Sequence, residues 1–191
     1  MQEITQHFPE EVVKRAARIK LLLTDVDGVL TDGGIIYDDN GLEYKKFNVK
    51  DGQIMKLLAS GGFTVGAITG RESPVVKDRM DQMGMNFHYH GVKDKLGRFR
   101  AILEELNLKP EEAAYLGDDI IDIPVFEQCG LAVCPADAPS YIKPYVHYTS
   151  ERRGGQGVFR QIADLLLASQ NKFESALQAY FTQYQQASKN H

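Results

Sequence analysis

The chain has 191 residues, 43% of them hydrophobic, which is enough for one sizeable core and too little for two full-sized domains. Its formal charge of -4 leaves no surplus of lysine and arginine to neutralise a nucleic-acid backbone or an anionic membrane surface, so neither is an expected partner. Cys129 and Cys134 have neither zinc nor CxxC spacing, and no apolar run approaches membrane-spanning length, so a cytoplasmic protein with buried thiols is expected.

Residues 1–18 carry a predicted entry helix, because Val12, Val13, Ala16, Ala17 and Ile19 recur at helical spacing over 9–19 with charges between them. An unbroken apolar run at 19–24 then suits a strand covered on both faces, as in a parallel sheet. Segments 34–37 and 42–47 flank Asp38-Asp39-Asn40-Gly41, whose Asn-Gly step favours a β-hairpin within 33–48. Apolar runs at 63–68, 113–116 and 131–134 predict further strands, and helical periodicity predicts helices over 52–60, 74–83, 96–106, 120–128 and 157–168. The Gln-rich segment 170–191 reads as a frayed helical tail. The alternation predicts an α/β fold over 19–169: a doubly wound, Rossmann-like parallel sheet with helices on both faces and a hairpin inserted after the first strand.

Chemistry gathers where those strands end. The first runs into Asp25-Val26-Asp27-Gly28, two carboxylates two residues apart at the sheet edge where α/β proteins bind ligands. Such a pair calls for a compensating cation, and a hard divalent ion with oxygen ligands fits, although the same stretch alone also makes a surface turn. The next apolar run ends in Thr69-Gly70-Arg71, a hydroxyl, a flexible backbone position and a guanidinium suited to phosphate, or equally a helix cap. Lys93 and Lys95 precede a helix. Another strand ends in Gly117-Asp118-Asp119-Ile120-Ile121-Asp122, three acids in five residues, which is costly without a metal. His88 and His90 flank Tyr89 without a third ligand and read as ordinary polar residues.

Together, Asp25-Val26-Asp27-Gly28, Thr69-Gly70, Lys95 and Gly117-Asp118-Asp119 with Asp122 resemble the four signature motifs of the haloacid-dehalogenase-like superfamily, over residues 19–168. The resemblance implies that Asp25 attacks phosphorus, that Asp27 acts as acid and then base, and that Thr69 and Lys95 clamp the phosphoryl oxygens. It further implies magnesium held by Asp25, the backbone carbonyl of Asp27 and Asp118, with Asp119 and Asp122 orienting the ion's waters. An aspartate at position 27 marks phosphotransferases rather than dehalogenases in that superfamily.

Only the short hairpin stands where many relatives carry a cap domain. Thr31-Asp32-Gly33-Gly34, the hairpin and Lys46-Phe47-Asn48-Val49-Lys50-Asp51-Gly52 are similar to the capless subfamily of 3-deoxy-D-manno-octulosonate 8-phosphate phosphatases. That resemblance implies a small phosphorylated keto-acid sugar of lipopolysaccharide precursor synthesis, contacted by Asp27, Asn48, Val49, Lys50, Asp51, Gly52, Lys56, Thr69, Gly70, Arg71, Arg79 and Lys95. It also implies a homotetramer whose hairpins form a central barrel, with a neighbour's tail near the active site; Arg152-Arg153-Gly154-Gly155-Gln156-Gly157 looks like that tail. Lys50 and Lys56 stand where arginines are typical, and lysine lacks the planar fork that grips a carboxylate by two bonds. The alternatives are a 2-keto-3-deoxy-nononate 9-phosphate phosphatase, in which glutamate tends to stand where this chain has Arg71, and a non-catalytic sugar-phosphate-binding subunit, which the intact motif set disfavours.

Overall fold

Leu21, Leu22 and Leu23 are all fully buried, so the strand they form, β1 (Leu21–Thr24), is covered on both faces and belongs at the centre of a sheet. The structure is a computed structural model and describes residues 2–188. From β1 the chain enters a hairpin of two short antiparallel strands, β2 (Ile36–Tyr37) and β3 (Glu43–Tyr44), then returns to the main sheet as β4 (Thr64–Ile68). β5 (Phe87–Tyr89), β6 (Ala113–Leu116), β7 (Leu131–Cys134) and β8 (Tyr148–Thr149) complete it in the order β5-β4-β1-β6-β7-β8, every pairing parallel. The expected doubly wound sheet without a cap domain is what the chain adopts.

The register decides where the motifs meet. Thr24 is level with Ala67 on one side and Leu116 on the other, so Asp25, Thr69 and the Gly117–Asp118 turn all emerge from the same carboxyl edge. This is the place where the strand order switches direction and where such sheets leave a crevice.

Side chains alternate across β1 as strand geometry requires. Leu22 packs with Val12 of α2 (Glu10–Ala16), Leu58 of α4 (Met55–Ser60), Met80 of α5 (Pro74–Met83) and Ile162 of α8 (Val158–Ser169). Leu21 and Leu23 face the other way, onto Phe99 and Ile102 of α6 (Lys95–Glu105) and Phe126 of α7 (Ile123–Phe126). A further short helix, α1 (Gln2–Thr5), lies beside α8.

Local details depart from the expectation for identifiable reasons. The helix expected over 52–60 starts earlier, as α3 (Val49–Gln53), because the Asn48 side chain accepts from the Lys50 amide at 3.0 Å and caps it. The helix expected over 120–128 is a 3-10 turn, Ile120–Asp122, followed by the short α7, whose Pro124 brings no amide hydrogen. Edge strands β5 and β8 are too short and too mixed in polarity to stand out in the sequence. The segment after 170 is helical as expected over its described residues and docks on the core: α9 (Phe173–Ser188) buries Ala176 and lays Phe173, Leu177 and Tyr180 against it. Residues 189–191 of the expected tail, and Met1, lie outside the described residues. Among the described residues no helix is long and apolar enough to cross a membrane.

Candidate active site

Asp25 sits one residue past β1 and is buried, its Oδ1 accepting from the Val26 amide at 2.7 Å and its Oδ2 lying 2.9 Å from Lys95 Nζ. Lys95 opens α6 and is only 1% exposed. Burial alone lowers its proton affinity, but Asp25 and Asp122 beside it outweigh that and hold the ammonium above its ordinary value. Lys95 Nζ also lies 2.7 Å from Asp122 Oδ1, which accepts a second bond from Tyr115 OH at 2.8 Å. Asp122 Oδ2 accepts from the Asp118 and Asp119 amides at 3.0 and 3.2 Å. Both Asp122 oxygens are therefore occupied by protein donors, and the side chain acts as the keystone of the turn that presents Asp118. Asp119 is exposed and caps its own turn through the Ile120 amide at 2.7 Å.

Negative charge accumulates beside Lys95 beyond what one ammonium offsets. One carboxylate oxygen from each of Asp25, Asp118 and Asp122 lies within 4.8 Å of the others. Burial pushes the Asp25 carboxyl up to about 7 against the pull of Lys95, with Asp122 adding to the rise. Asp118 is pushed up to about 8, first by burial and then by the charges of Asp25, Asp122 and Asp119. Asp118 Oδ1 is buried without a hydrogen-bond partner among the described residues. Gly28, at φ 87°, lets the loops close this tightly, since a Cβ there would stand 2.0 Å from Asp118 Oδ2. An orphaned buried oxygen amid all-oxygen donors fits a hard divalent cation such as magnesium.

These residues open into a cleft of about 280 Å³ lined by Asp25, Asp27, Thr69, Gly70, Arg71 and Asp118, among others. A larger cleft of about 430 Å³ lies between the N-terminal helices and α8, but its lining has no such cluster of carboxylates among the described residues. Thr69 is buried at the end of β4 and its hydroxyl accepts from the Arg71 amide at 3.4 Å. Arg71 leans toward the hairpin, donating to Tyr37 OH at 3.1 Å, with Glu43 Oε1 3.6 Å and Asp27 Oδ2 3.9 Å away.

The other residues expected to contact substrate do not line this cleft. Val49, Lys50 and Lys56 are exposed on α3 and α4, and Lys56 Nζ lies over the Tyr180 ring of α9 at 5.7 Å. Arg79 donates to the Asn48 carbonyl at 3.4 Å, an approach that needs Gly52, where a Cβ would come within 2.9 Å of the guanidinium. Asp51 is turned inward, accepting from the Arg160 amide at 2.9 Å, and burial pushes its carboxyl up to about 6. The Gly-rich stretch 152–157, expected as a tail reaching a neighbour, is packed in its own chain: the Gly155 amide donates to the Val29 carbonyl at 3.0 Å, and a Cβ on Gly154 would stand 2.1 Å from the Gly28 carbonyl oxygen.

Two participants escaped the sequence reading. Tyr115 lies in an apolar strand and gave no polar signal, and Lys45, on the hairpin, contacts Asp27 Oδ1 with its side chain wholly buried. His88 Nδ1 and His90 Nε2 meet at 2.8 Å, with Asp81 on His88 Nε2 at 2.9 Å, and these three do not gather into a group that could hold a metal among the described residues.

Comparison with known proteins agrees with this geometry. Residues 44–130 match the haloacid dehalogenase-like hydrolase family. The chain is 42% identical over 167 residues to the 3-deoxy-D-manno-octulosonate 8-phosphate phosphatase KdsC of Yersinia pestis, covering 87% of this chain and 89% of that protein. Against KdsC of Escherichia coli it is 43% identical over 166 residues, covering 87% and 88%. The crystal structure of the Moraxella catarrhalis 3-deoxy-D-manno-octulosonate 8-phosphate phosphatase, in complex with magnesium ion, phosphate ion and KDO, is 31% identical and superposes with a TM-score of 0.86 over 91% of this chain and 99% of that one. The chain belongs to the haloacid dehalogenase-like hydrolases and, within them, to the KdsC family.

Proposed function

We propose that this chain is a magnesium-dependent phosphatase that hydrolyses 3-deoxy-D-manno-octulosonate 8-phosphate to the free sugar acid and phosphate through an aspartyl-phosphate on Asp25. The observation that carries this reading is the convergence of Asp25, Asp27, Thr69 and Asp118 on one cleft, with Lys95 buried against Asp25, in a chain so similar to KdsC. Asp25, the backbone carbonyl of Asp27 and Asp118 would hold the ion. Bound magnesium offsets the negative charge that nucleophile and phosphate bring to each other.

Asp25 attacks phosphorus as the bond to the sugar oxygen breaks, and Asp27 gives that oxygen its proton. Water then attacks phosphorus, Asp27 takes its proton, and the bond between Asp25 and phosphorus breaks to release inorganic phosphate. Thr69 at the cleft and Lys95, buried against Asp25, donate to the phosphoryl oxygens on which charge spreads in the transition state. Asp122 serves this step by fixing Lys95 rather than by touching substrate.

The reading extends to a cytoplasmic homotetramer serving lipopolysaccharide precursor synthesis. Ile36, Tyr37, Leu42 and Tyr44 are each at least half exposed on the hairpin, an apolar edge that pairing with other copies would cover. Val49 and Lys50, exposed and outside their own cleft, are then free to face a neighbour's. The neighbour's tail at the cleft would be a segment other than 152–157.

The test compares kcat/KM on octulosonate 8-phosphate with that on nononate 9-phosphate, with and without magnesium, for the wild type and Asp25→Asn. Magnesium-dependent preference for the eight-carbon sugar, lost in Asp25→Asn, is the expected result. Preference for the longer sugar overturns the substrate. Wild type that turns over neither makes the chain a binding subunit. Sedimentation as a monomer at micromolar concentration overturns the tetramer.

A further inference from the structure

Lys45 presents its backbone at the surface of the hairpin, yet its side chain is wholly buried. Burying an ammonium is costly unless it is paired, so its partners indicate its use. Nζ contacts Asp27 Oδ1 and lies 3.3 Å from Oε1 of Glu43, on the strand that Lys45 directly follows. Thr31 Oγ1 donates to that same Asp27 oxygen at 3.4 Å. Asp27 Oδ2, by contrast, is buried and accepts no hydrogen bond from the described residues, with Arg71 Nε too distant at 3.9 Å. One oxygen of the carboxylate is tethered and the other is left free, in a side chain that lines the cleft.

We infer that Lys45 is a positioning residue for the reaction, holding Asp27 by Oδ1 so that Oδ2 is presented to the sugar oxygen as it leaves phosphorus. The inference rests on the proposed role of Asp27. As the bond between Asp25 and phosphorus forms and the bond from phosphorus to the sugar oxygen breaks, the proton passes from Oδ2 to the sugar oxygen and its bonding pair stays on Oδ2. The hairpin is thereby part of the catalytic geometry as well as an apolar surface. Arg71 ties it to the cleft a second time, through Tyr37 of β2 and Glu43 of β3.

The experiment uses two leaving groups. A sugar alkoxide needs a proton to depart and p-nitrophenolate does not, and kcat/KM reports the steps up to that departure. Lys45→Met is expected to lower kcat/KM on octulosonate 8-phosphate by about 100-fold, at the low end of what a general acid contributes, and on p-nitrophenyl phosphate by less than about tenfold. Lys45→Arg recovers most of the loss. In an Asp27→Asn background Lys45→Met costs nothing further, because it acts only through Asp27. Equal losses on both substrates, an undiminished loss in the Asp27→Asn background, or no loss at all each overturn the inference. Melting and sedimentation unchanged from wild type certify the variant, and should Lys45→Met unfold, Lys45→Gln is read by the same criteria. Wild type that hydrolyses neither substrate with magnesium removes the proposed function and this inference together, whereas active wild type with an indistinguishable Lys45→Met removes the inference alone.

Discussion

The Asp122 carboxylate stands 2.7 Å from the Lys95 ammonium, and neither side chain reaches solvent. Lys95 keeps Asp25 as a second partner, but removing Asp122 takes away half the pairing of a buried ammonium and leaves the Tyr115 hydroxyl and the Asp118 and Asp119 amides without their acceptor, a loss of about 3–5 kcal/mol. Asp122→Ala is therefore expected to lower the unfolding free energy by about that amount in urea melts, and Asp122→Asn, which keeps an accepting oxygen, to lose less. Both lose turnover, because Lys95 loses a charged partner and is misplaced. Equal stability of Asp122→Ala and wild type would refute the keystone role.

Three carboxylates crowd within 4.8 Å, so the metal-free protein carries repulsion that the ion relieves. Magnesium at about 100 times its dissociation constant adds about 2.7 kcal/mol to stability, and a melting scan against a chelator-treated control reads it. Asp118→Asn should melt higher than wild type in chelator and respond little to magnesium. A variant that keeps the full magnesium shift would place the ion elsewhere.

Asp51 makes stability depend on pH in a stated direction. The unfolded chain releases this proton near 3.8 and the folded chain near about 6, so between them the folded state binds more protons. Its contribution is full at low pH, falls as pH rises through about 6, and is absent above. Its size is at most about 3 kcal/mol. Asp51→Asn keeps an acceptor for the Arg160 amide without the charge, so it should gain on wild type in unfolding free energy between about pH 4 and pH 7. A constant difference across that range would mean that Asp51 ionises freely in the fold.

The parts legible in the sequence were those in which local order alone carries the message. Apolar runs ending in Asp25, Thr69 and Gly117-Asp118 define parallel strands and, through their common edge, the cleft. Lys45 was not legible because its burial arises only when the hairpin folds back over Asp27, 18 residues away. Asp51 read as a substrate contact, and its inward turn is fixed by Arg160, 109 residues along the chain. Tyr115 sits in a run that any core strand would show, and only its meeting with Asp122 gives the hydroxyl a purpose. β5 and β8 pair on one side only, so their sequences lack the unbroken apolar stretch of a central strand.

Burial pushes the Cys129 thiol up to about 12, and the same cause raises Cys134. The thiolate is the reactive form, so both groups are inert while the fold holds. Their sulfurs make only weak contacts, Cys129 with the Phe126 carbonyl and Cys134 with the Thr149 hydroxyl, each at 3.7 Å. A chromogenic disulfide reagent should find no thiol in the native protein and two in denaturant. In native buffer the labelling rate should track opening of the core and slow when magnesium is added, since an ion that binds only the folded state lowers the population of open molecules. Rapid labelling of either cysteine, insensitive to magnesium, would show a thiol exposed by local motion of β7 or α7 rather than one sealed in the core.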